Sequence, residues 1–292
     1  MNPVPHIATH DVSLTADDGY RLTAMLFEPA AGARNAPVTI IASATGVRQS
    51  YYARFASFLA EKGRPVLTFD GRGIGRSAPA SLKGFPARFR DWGILDFPAA
   101  IDWAAVTYPG RPMHWVGHSY GGFGVGLARN NGRLDKLLGI ATMSADVRLV
   151  DDKLASWQIG LMLFVVGPVI ARVLGYAPGR LFGGADLPEQ AVLEWSRWCR
   201  TPGFLFGVDD LPEKRFFESV RADVRLARMT DDTWVARRGV ESLLEHFPAS
   251  PRRDIWTIDP AAITGEPIGH LGFFRTKFRE PLWQQALLWL DA

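Results

Sequence analysis

Short apolar runs of strand length alternate with segments of helical periodicity along much of this 292-residue chain. The runs occupy residues 38–42, 65–69, 113–116 and 137–142. A continuously apolar run such as the first of these (VTIIA) is typical of a strand that is covered on both faces. Between the runs, apolar side chains recur at helical spacing, which predicts a helix in each interval. This alternation predicts an α/β fold with a mainly parallel, doubly wound sheet.

Both ends of the chain extend this predicted sheet. Near the N-terminus, residues 12–14 and 22–27 flank Asp17-Asp18-Gly19, a sequence that favours a hairpin turn. After residue 220 the alternation resumes with a strand, a helix, a strand and a last helix, at residues 224–229, 234–246, 254–258 and 281–290. We therefore assign residues 1–145 and 221–292 to one core domain.

Residues 146–220 interrupt the alternation. This segment contains tryptophans, apolar helix-like stretches and Pro/Gly punctuation, but no clear strand. It is far too long for a simple loop in a compact domain. We therefore predict that it forms a helical cap inserted into the core domain.

Residues 117–121, Gly-His-Ser-Tyr-Gly, fit the pattern G-x-S-x-G, which holds a serine on a sharp turn between a strand and a helix. The pentapeptide follows the predicted strand at 113–116 and precedes a glycine- and alanine-rich stretch at 123–130. Glycines beside the serine let neighbouring backbone segments pass without Cβ clashes. Ser119 is therefore the predicted nucleophile, exposed at the carboxyl edge of the sheet and at a helix N-terminus. The alternative is a surface serine in an ordinary glycine-rich turn.

A serine hydroxyl is a weak nucleophile and needs a base within hydrogen-bond reach. Of the six histidines, His270 lies in a glycine-containing loop, residues 265–272, directly after the last predicted strand. Such a loop can carry an imidazole over the sheet edge, so His270 is the predicted general base. His118 lies inside the nucleophile elbow, which is the turn that carries Ser119. We expect its side chain to point away from the serine hydroxyl into the packed interior.

The third member of a serine–histidine–acid triad orients the histidine and stabilises its charged form. Asp231 and Asp232 follow the strand predicted at 224–229, which places both at the carboxyl edge of the sheet. The resulting order of serine, aspartate and histidine along the chain is the one expected for an elbow of this kind. We favour Asp232, because the segment Asp-Thr-Trp-Val-Ala that leads from it into the next helix resembles the loop that usually carries the acid of a triad. Asp231 stays the alternative, and its other possible role is to cap that helix.

A tetrahedral oxyanion requires two backbone N–H donors. One is expected from Tyr120, the residue after the nucleophile. The other is expected from the turn Ala44-Thr45-Gly46-Val47 that follows the strand at 38–42, and we favour the amide of Val47. Loss of one such donor lowers turnover by about a hundredfold or more, so Gly46 is predicted to resist bulky substitution.

Three motifs carry a resemblance to a known family. They are DGRGIGRS at residues 70–77, the elbow at 117–122 and IGHLGFF at 268–274. On these residues almost the whole chain resembles an α/β-hydrolase of the serine aminopeptidase-like or predicted α/β-hydrolase group. The resemblance implies the α/β-hydrolase fold, a mostly parallel central sheet flanked by helices with an inserted helical cap. It implies hydrolytic activity far better than it implies a substrate.

The resemblance also bears on two loops near the predicted nucleophile. In the first, Asp70 and Arg72 correspond to residues that support the sheet, so we interpret both as structural. In the oxyanion turn, many relatives have His-Gly where this chain has Thr45-Gly46. The donor there is a backbone amide, so activity is not excluded, but the hydrogen bonding of the turn must differ.

The predicted cap is expected to set the substrate. Its aromatic side chains either line an apolar acyl or aromatic pocket or pack the cap onto the sheet, and they are Trp157, Phe164, Trp195, Trp198 and Phe204. Four arginines either bind a substrate carboxylate or carry solvated surface charge, and they are Arg172, Arg180, Arg197 and Arg200. The predicted reaction is hydrolysis of a carboxylic ester, thioester or amide through an acyl-enzyme on Ser119. The alternative is a non-catalytic protein of the same fold that binds a ligand or partner.

Charge and composition narrow the remaining classes. The net charge is only +3 and no run of five basic residues occurs, so nucleic acid is not an expected partner. Cys199 is the single cysteine, so no intramolecular disulfide forms, and neither metal nor cofactor is predicted. The apolar segment 159–171 is shorter than the roughly 20 residues of a membrane span. Residues 1–10 lack the pattern of a secretory signal. We therefore expect a cytoplasmic protein with a small-molecule, apolar acyl substrate and without membrane contact, and the alternative is a lipid-surface protein anchored through the apolar cap segment.

Overall fold

The computed structural model of the protein describes residues 7–29, 35–181 and 183–292. The strands in these ranges are β1 (Ile7–Thr15), β2 (Arg21–Pro29), β3 (Val38–Ala42), β4 (Val66–Phe69), β5 (Met113–His118), β6 (Lys136–Ile140), β7 (Tyr176–Ala177), β8 (Leu187–Pro188), β9 (Asp223–Met229) and β10 (Arg253–Ile258). Eight of them form one sheet in the order β1-β2-β4-β3-β5-β6-β9-β10, and β7 and β8 form a separate ribbon.

The helices lie between these strands and after the last one. The α-helices are α1 (Ala53–Glu61), α2 (Phe89–Asp91), α3 (Phe97–Thr107), α4 (Tyr120–Phe123), α5 (Lys153–Leu161), α6 (Gly167–Leu174), α7 (Glu189–Arg200), α8 (Arg237–Glu245), α9 (Pro260–Ile263), α10 (Gly269–Gly272) and α11 (Gln284–Asp291). The π-helical turns are Trp92–Asp96, Met162–Val166 and Arg279–Trp283. The 3₁₀ turns are Gln49–Tyr52, Gly75–Ser77, Gly124–Leu127, Asn131–Arg133, Val147–Leu149, Gly179–Leu181, Phe204–Gly207, Pro212–Ser219 and Thr276–Phe278.

The pairing of the strands follows the predicted pattern. β1 and β2 pair antiparallel, from Ile7 opposite Pro29 to Thr15 opposite Arg21, which confirms the predicted hairpin. β2 also pairs antiparallel with β4. The other neighbours pair in parallel, from β4 through β3, β5, β6 and β9 to β10. The sheet is therefore mainly parallel, with an antiparallel hairpin at one edge.

The central strands are covered on both faces. Every residue of β3, β4 and β5 is buried, which is why their sequences read as continuous apolar runs. The parallel strands all run in one direction, so their carboxyl ends meet at one edge of the sheet. Ser119 follows β5 at this edge, Asp231 and Asp232 follow β9, and the loop with His270 follows β10.

The loop after β4 supports this edge through buried hydrogen bonds. The Asp70 carboxylate accepts the backbone N–H groups of Gln49 at 2.8 Å and Arg76 at 3.0 Å. The Arg72 guanidinium donates to Asp96 at 2.7 Å, and both side chains are buried. Asp70 and Arg72 therefore hold backbone segments together, as the sequence analysis predicted.

Residues 146–220, here called the insertion, leave the sheet between β6 and β9. Helices α5 and α6 and the π turn between them form one continuous helix, residues 153–174, here called the outer helix. Within it, Ser156–Leu174 is long and apolar enough to cross a membrane by length and composition, with a mean hydropathy of 1.8. It is therefore longer than the apolar stretch 159–171 that the sequence analysis compared with a membrane span.

The ribbon of β7 and β8 is an addition to the predicted insertion, for which only helices were expected. Its strands have two residues each, with Tyr176 opposite Pro188 and Ala177 opposite Leu187. A pair this short has no alternation to detect, so the periodicity of the sequence could not indicate it.

Contacts at two places hold the insertion against the core. The Arg90 guanidinium on α2 donates to Glu194 on α7 at 2.6 Å, and its backbone N–H donates to the same carboxylate at 2.8 Å. Phe89 stacks on Trp195, with ring centroids 5.6 Å apart and planes 11° apart. At the second place, the backbone N–H of Ala185 donates to the carbonyl of Gly46 at 2.7 Å. The insertion is thus fixed directly over the carboxyl edge of the sheet.

Candidate active site

Ser119 occupies a strained turn between β5 and α4. Its φ of 51° and ψ of −112° lie in a region that residues with a side chain rarely adopt. A Cβ added at Gly117 would clash with the backbone of Gly121, and one added at Gly121 would clash with the carbonyl of Ala42. The glycines of G-x-S-x-G therefore allow three backbone segments to pass close together, and this packing fixes the serine on the turn.

Hydrogen bonds from β6 and from the loop after it hold the turn in place. The Ser119 N–H donates to the carbonyl of Ile140 at 2.8 Å, and the Thr142 hydroxyl donates to the carbonyl of Ser119 at 2.8 Å. Tyr120 is anchored by its buried hydroxyl, which donates to the Phe89 carbonyl at 2.7 Å. The Tyr120 N–H, in the first turn of α4, is one of the amides that a helix leaves without an internal partner.

His270 lies within α10 and contacts one of the two candidate acids. Its Nδ1 is 2.8 Å from Oδ2 of Asp232, and the Asp232 side chain is buried. The other carboxylate oxygen of Asp232 accepts the backbone N–H of Trp234 at 3.0 Å. Because a carboxylate only accepts hydrogen bonds, Nδ1 carries the proton and Nε2 is free to act as a base.

Asp231 has a different set of partners. Its carboxylate accepts the backbone N–H of Ile268 at 2.8 Å and that of Gly269 at 3.0 Å. These amides immediately precede His270, so Asp231 fastens the loop that carries the imidazole. The sequence left a choice between these two neighbouring aspartates. In the structure Asp232 contacts the side chain of His270, and Asp231 contacts the backbone of the same loop.

A buried chain of hydrogen bonds joins the predicted oxyanion turn to the loop of His270. The backbone N–H of Ala44 donates to the Tyr52 hydroxyl at 2.9 Å, and this hydroxyl lies 2.8 Å from Nδ1 of His118. Nε2 of His118 lies 2.9 Å from the carbonyl of His270. A carbonyl only accepts, so Nε2 of His118 carries the proton and Nδ1 accepts the Tyr52 hydroxyl.

Burial keeps this chain of hydrogen bonds in one protonation state. It lowers the pKa of His118 to about 3, and the charge that His270 can carry nearby acts in the same direction. Burial also raises the pKa of the Tyr52 hydroxyl. The His118 side chain is buried in the interior, as predicted, whereas the role of Tyr52 was not predicted. The helical spacing of Tyr52 with Phe55 and Leu59 indicated a core position and gave no sign of a polar contact.

Ser119 and His270 line one cavity of about 260 Å³. Apolar side chains form most of its wall, among them Phe89, Phe123, Ile159, Leu163, Trp195 and Trp234. Among the described residues, no hydrogen bond joins the Ser119 hydroxyl to Nε2 of His270. Such contacts are often open in a site without substrate and close only in the reacting complex. The cavity therefore offers an apolar binding space with a hydroxyl and an imidazole in its wall.

The predicted oxyanion turn also lies at this cavity. Ala44, Thr45 and Val47 line it, but the Val47 N–H donates to the carbonyl of Ala44 at 3.0 Å. Gly46 has a φ of 71°, and a Cβ added there would be 3.4 Å from the Ala185 carbonyl. The positive φ favours glycine at this position, whereas a separation of 3.4 Å is an ordinary van der Waals contact.

The five aromatic side chains that were predicted either to line the pocket or to pack the insertion onto the sheet differ in position, and one of them, Phe204, is fully buried outside the cavity lining. Trp195 lines the cavity. Trp157 does not, because it lies on the outer side of the insertion with 64% of its surface exposed. Trp198 is fully buried and packs edge-on against Phe89 and Phe204, and it is not part of the lining. These positions correct the prediction for Trp157 and Trp198.

Phe164, another of these aromatic residues, is also outside the lining. It is half-buried beneath the Arg200 guanidinium, 4.9 Å from its ring centre. Arg197 forms an exposed ion pair with Asp210. Neither these arginines nor Arg172 and Arg180 are among the cavity-lining residues. The lining residues Ile159 and Leu163 were missed, although their spacing of four within an apolar segment could have indicated one face of a helix.

Solved structures with similar folds include several esterases. An esterase from Pyrococcus furiosus is 18% identical, with a TM-score of 0.62, and the alignment covers 98% of this chain and 91% of that one. Est1E from Butyrivibrio proteoclasticus, solved with ferulic acid bound, is 16% identical with a TM-score of 0.63, covering 96% and 100% of the two chains. A hypothetical protein from Pseudomonas aeruginosa is 14% identical with a TM-score of 0.64, covering 99% and 95%. These likenesses establish a shared fold.

Sequence comparison adds the family. The curated proteins that were searched include no match to this chain. The family model described as serine aminopeptidase, S33, matches residues 36–184, which is just over half of the chain and includes the oxyanion turn and the elbow. Together with the eight-stranded, mainly parallel sheet, this match confirms the resemblance seen in the sequence. The chain belongs to the serine aminopeptidase (S33) family of α/β-hydrolases.

Proposed function

We propose that this hydrolase cleaves carboxylic esters with an apolar acyl group, through an acyl-enzyme formed on Ser119. The observation that carries the proposal is the convergence of three elements at one cavity. Ser119 and His270 line this cavity, and the Asp232 carboxylate contacts Nδ1 of the His270 imidazole. Nucleophile, base and orienting acid are the parts that serine-based acyl transfer requires.

In the first half of the proposed reaction, the Ser119 oxygen attacks the ester carbonyl carbon. Nε2 of His270 takes the hydroxyl proton, and Asp232 stabilises the imidazolium that results. The new C–O bond turns the carbonyl into a tetrahedral oxyanion. As this intermediate collapses, the imidazolium returns its proton to the departing alcohol, and the acyl group stays on Ser119. In the second half, His270 takes a proton from water as the water oxygen attacks the acyl carbon. The second tetrahedral intermediate then collapses, its C–O bond to Ser119 breaks, and the imidazolium returns the proton to the serine oxygen as the carboxylic acid leaves.

The oxyanion needs backbone donors aimed at it. The Tyr120 N–H is the first, because its position in the opening turn of α4 leaves it without an internal partner. We propose Val47 as the second. Its N–H bonds the Ala44 carbonyl at 3.0 Å, so it must exchange that partner for the oxyanion when substrate binds. The chain of hydrogen bonds from Ala44 through Tyr52 and His118 links this turn to the loop of His270.

The apolar wall of the cavity supports an apolar acyl group as the substrate portion bound beside Ser119. Phe123 comes from the core, and Ile159, Leu163 and Trp195 come from the insertion. We therefore propose that the insertion acts as the cap that was expected from the sequence, and that it selects the acyl group. Thioesters and amides with the same acyl group would use the same donors and the same base.

A fluorophosphonate probe tests the proposed nucleophile, because it phosphorylates an activated serine. We expect stoichiometric labelling of the wild type and none of Ser119→Ala, with loss of nitrophenyl ester hydrolysis in the same variant. Ser144→Ala is the matched control. Ser144 lines the same cavity, its hydroxyl is buried, and it has no hydrogen-bond partner among the described residues.

Three outcomes are informative. Labelling that is lost in Ser119→Ala and kept in Ser144→Ala supports the assignment. Labelling that persists in Ser119→Ala would falsify it. A folded wild type that takes no label and hydrolyses no ester would favour the alternative of a non-catalytic binding protein.

A further inference from the structure

The outer helix, residues 153–174, has an exposed apolar side. Trp157 is 64% exposed and Val173 is 76% exposed, although both are large apolar side chains. Six of the exposed residues form what we call the apolar stripe, and they are Leu154, Trp157, Leu161, Val165, Val169 and Val173; Leu174, which is 40% exposed, follows the stripe in sequence. These residues run along nearly the whole length of the helix.

The π turn at Met162–Val166 contributes to the alignment of the stripe. From Trp157 onward, its members are four residues apart. In a regular α-helix each such step rotates the position by about 40° beyond a full turn, because 3.6 residues make one turn. A π turn is wider, so it takes up part of this rotation. The stripe therefore stays on one side of the helix instead of winding around it.

The opposite side of the helix faces the protein. Ile159 and Leu163 line the cavity that holds Ser119, and Ala171 is completely buried. Only 28% of the most apolar window of Ser156–Leu174 is buried, so this is not the core helix of a soluble domain. Extended apolar surfaces of this kind mark interaction sites, since their exposure to water is unfavourable.

The charges around the stripe indicate what covers it. Residues 153–185 contain three basic residues, Lys153, Arg172 and Arg180, and no acidic residue. All three basic residues are exposed, and none forms a salt bridge within the described part of the chain. The acidic groups nearest in sequence, Asp151 and Asp152, precede the helix, and Asp186 follows the segment. An apolar face that contains tryptophan and is flanked by cations is typical of helices that lie at a lipid–water boundary.

We propose that the apolar stripe docks on the surface of an anionic lipid membrane, with the outer helix parallel to the membrane plane. The helix lies on the membrane and does not span it, because its inner side is occupied by packing against the core and by the cavity wall. Trp157 and the aliphatic members enter the acyl boundary, while Lys153, Arg172 and Arg180 contact anionic headgroups. The docking goes beyond the proposed hydrolysis and does not depend on it.

Vesicle co-sedimentation of the full-length protein tests the docking. We expect the wild type to sediment with phosphatidylcholine vesicles that contain about 30% phosphatidylglycerol, and more weakly with phosphatidylcholine alone. Trp157→Asp/Val173→Asp is expected to lower the bound fraction at least about tenfold, since each charge must then enter the acyl boundary. Arg172→Gln and Arg180→Gln are each expected to weaken binding to the anionic vesicles about fivefold.

Val106→Asp/Leu288→Asp is the matched control. It places two aspartates at apolar positions that are equally exposed, 81% and 69%, but lie outside the insertion. We expect this variant to bind vesicles like the wild type. The proposal is overturned if the wild type stays in the supernatant with both kinds of vesicle, or if both double variants bind like the wild type. A wild type that dimerises in sedimentation velocity and loses both dimer and vesicle binding only in Trp157→Asp/Val173→Asp would identify a second copy as the occupant instead.

Discussion

Two adjacent aspartates at the candidate site have separate tasks. Asp232 contacts Nδ1 of His270 at 2.8 Å, whereas Asp231 accepts the backbone amides of Ile268 and Gly269. The two aspartates lie at the turn that follows β9, where the Asp232 N–H donates to the Met229 carbonyl, and one carboxylate reaches the imidazole while the other reaches the backbone beside it. This division could not be read from the sequence, because both residues have the same chemistry and follow the same strand.

The division predicts unequal losses of activity when each carboxylate becomes an amide. Asp232→Asn can donate to Nδ1 and so favours the wrong tautomer of His270, and we expect kcat to fall about 10⁴-fold with little change in KM. Asp231→Asn keeps one acceptor for the loop amides, and we expect less than about a tenfold fall in kcat. Steady-state hydrolysis of a nitrophenyl ester measures both. Equal losses, or a larger loss in Asp231→Asn, would contradict the assignment of Asp232 as the orienting acid.

His118 gives the folded state a proton linkage that can be measured. Its pKa falls from 6.5 to about 3 because it is buried and because His270 lies nearby. Between these values the unfolded chain binds a proton that the folded chain does not bind. The contribution of His118 to stability is therefore complete above pH 6.5 and decreases as the pH falls toward the lower pKa. His114 is shifted in the same direction, to about 3, chiefly by burial.

We therefore expect His118→Gln to flatten the pH dependence of the unfolding free energy on the acid side of pH 6.5. Glutamine does not titrate, so the slope should fall by up to about 1.4 kcal/mol per pH unit. His114→Gln should flatten it by a similar amount, and the double variant by the sum. Urea unfolding at a series of pH values measures the slope. Parallel curves for the wild type and His118→Gln would show that His118 is protonated in the folded protein.

At the scale of elements, the attachment of the insertion to the core depends on a buried ion pair. The Arg90 and Glu194 side chains are 11% and 8% exposed, and two hydrogen bonds join Arg90 to the Glu194 carboxylate. Arg90 also donates to the carbonyl of Asp210 at 2.6 Å. Phe89, next to Arg90, lines the cavity. The ion pair thus positions both helix α7 and one part of the cavity wall.

Removal of one partner leaves the other charge buried, which is costly. We expect Glu194→Ala to lower the free energy of unfolding by about 3 kcal/mol. Glu241→Ala is the matched control, since Glu241 pairs with Arg237 one turn away on the exposed face of α8. Its loss should cost no more than about 0.5 kcal/mol. Equilibrium urea unfolding measures both, and similar losses would argue against a structural role for the buried pair.

The elements that the sequence predicted are those whose signal is local. The run at 38–42 is a strand because both faces of the sheet are covered there, and this leaves a continuous apolar sequence. The elbow was predictable because close backbone packing at Gly117 and Gly121 tolerates no Cβ. Each of these constraints leaves its trace within a short stretch of sequence, so the trace can be read directly.

The features that the sequence did not predict depend on tertiary packing. Trp157 and Ile159 are two residues apart on one apolar helix, yet the first faces solvent and the second lines the cavity. Hydropathy does not distinguish them, because the whole segment is apolar and the inner side is defined by what packs against it. Tyr52 is a similar case. Its spacing placed it in the core, and only the fold brings its hydroxyl to His118.

At the scale of the whole molecule, the cavity lies between the core and the insertion, and both contribute to its wall. The core contributes the reactive groups and Phe123, and the insertion contributes Ile159, Leu163 and Trp195. In the proposed reaction, the core therefore supplies the chemistry and the insertion selects the substrate, so a change in the insertion is expected to alter the preferred acyl group without touching Ser119. The outer helix takes part in both surfaces of the insertion, because its inner side lines the cavity and its outer side carries the apolar stripe.

This separation predicts a change in acyl-chain preference without a loss of chemistry. Leu163→Trp adds an indole to a cavity of about 260 Å³, so less length remains for the acyl group. We expect kcat/KM for nitrophenyl octanoate to fall about tenfold or more, and kcat/KM for the acetate ester to stay within about twofold of the wild type. Leu161→Trp is the control, because Leu161 is two residues away on the exposed side of the same helix. It should leave the ratio of the two esters unchanged. If Leu163→Trp lowers both esters equally, or if Leu161→Trp shifts the ratio as much, the acyl group does not bind along the inner side of this helix.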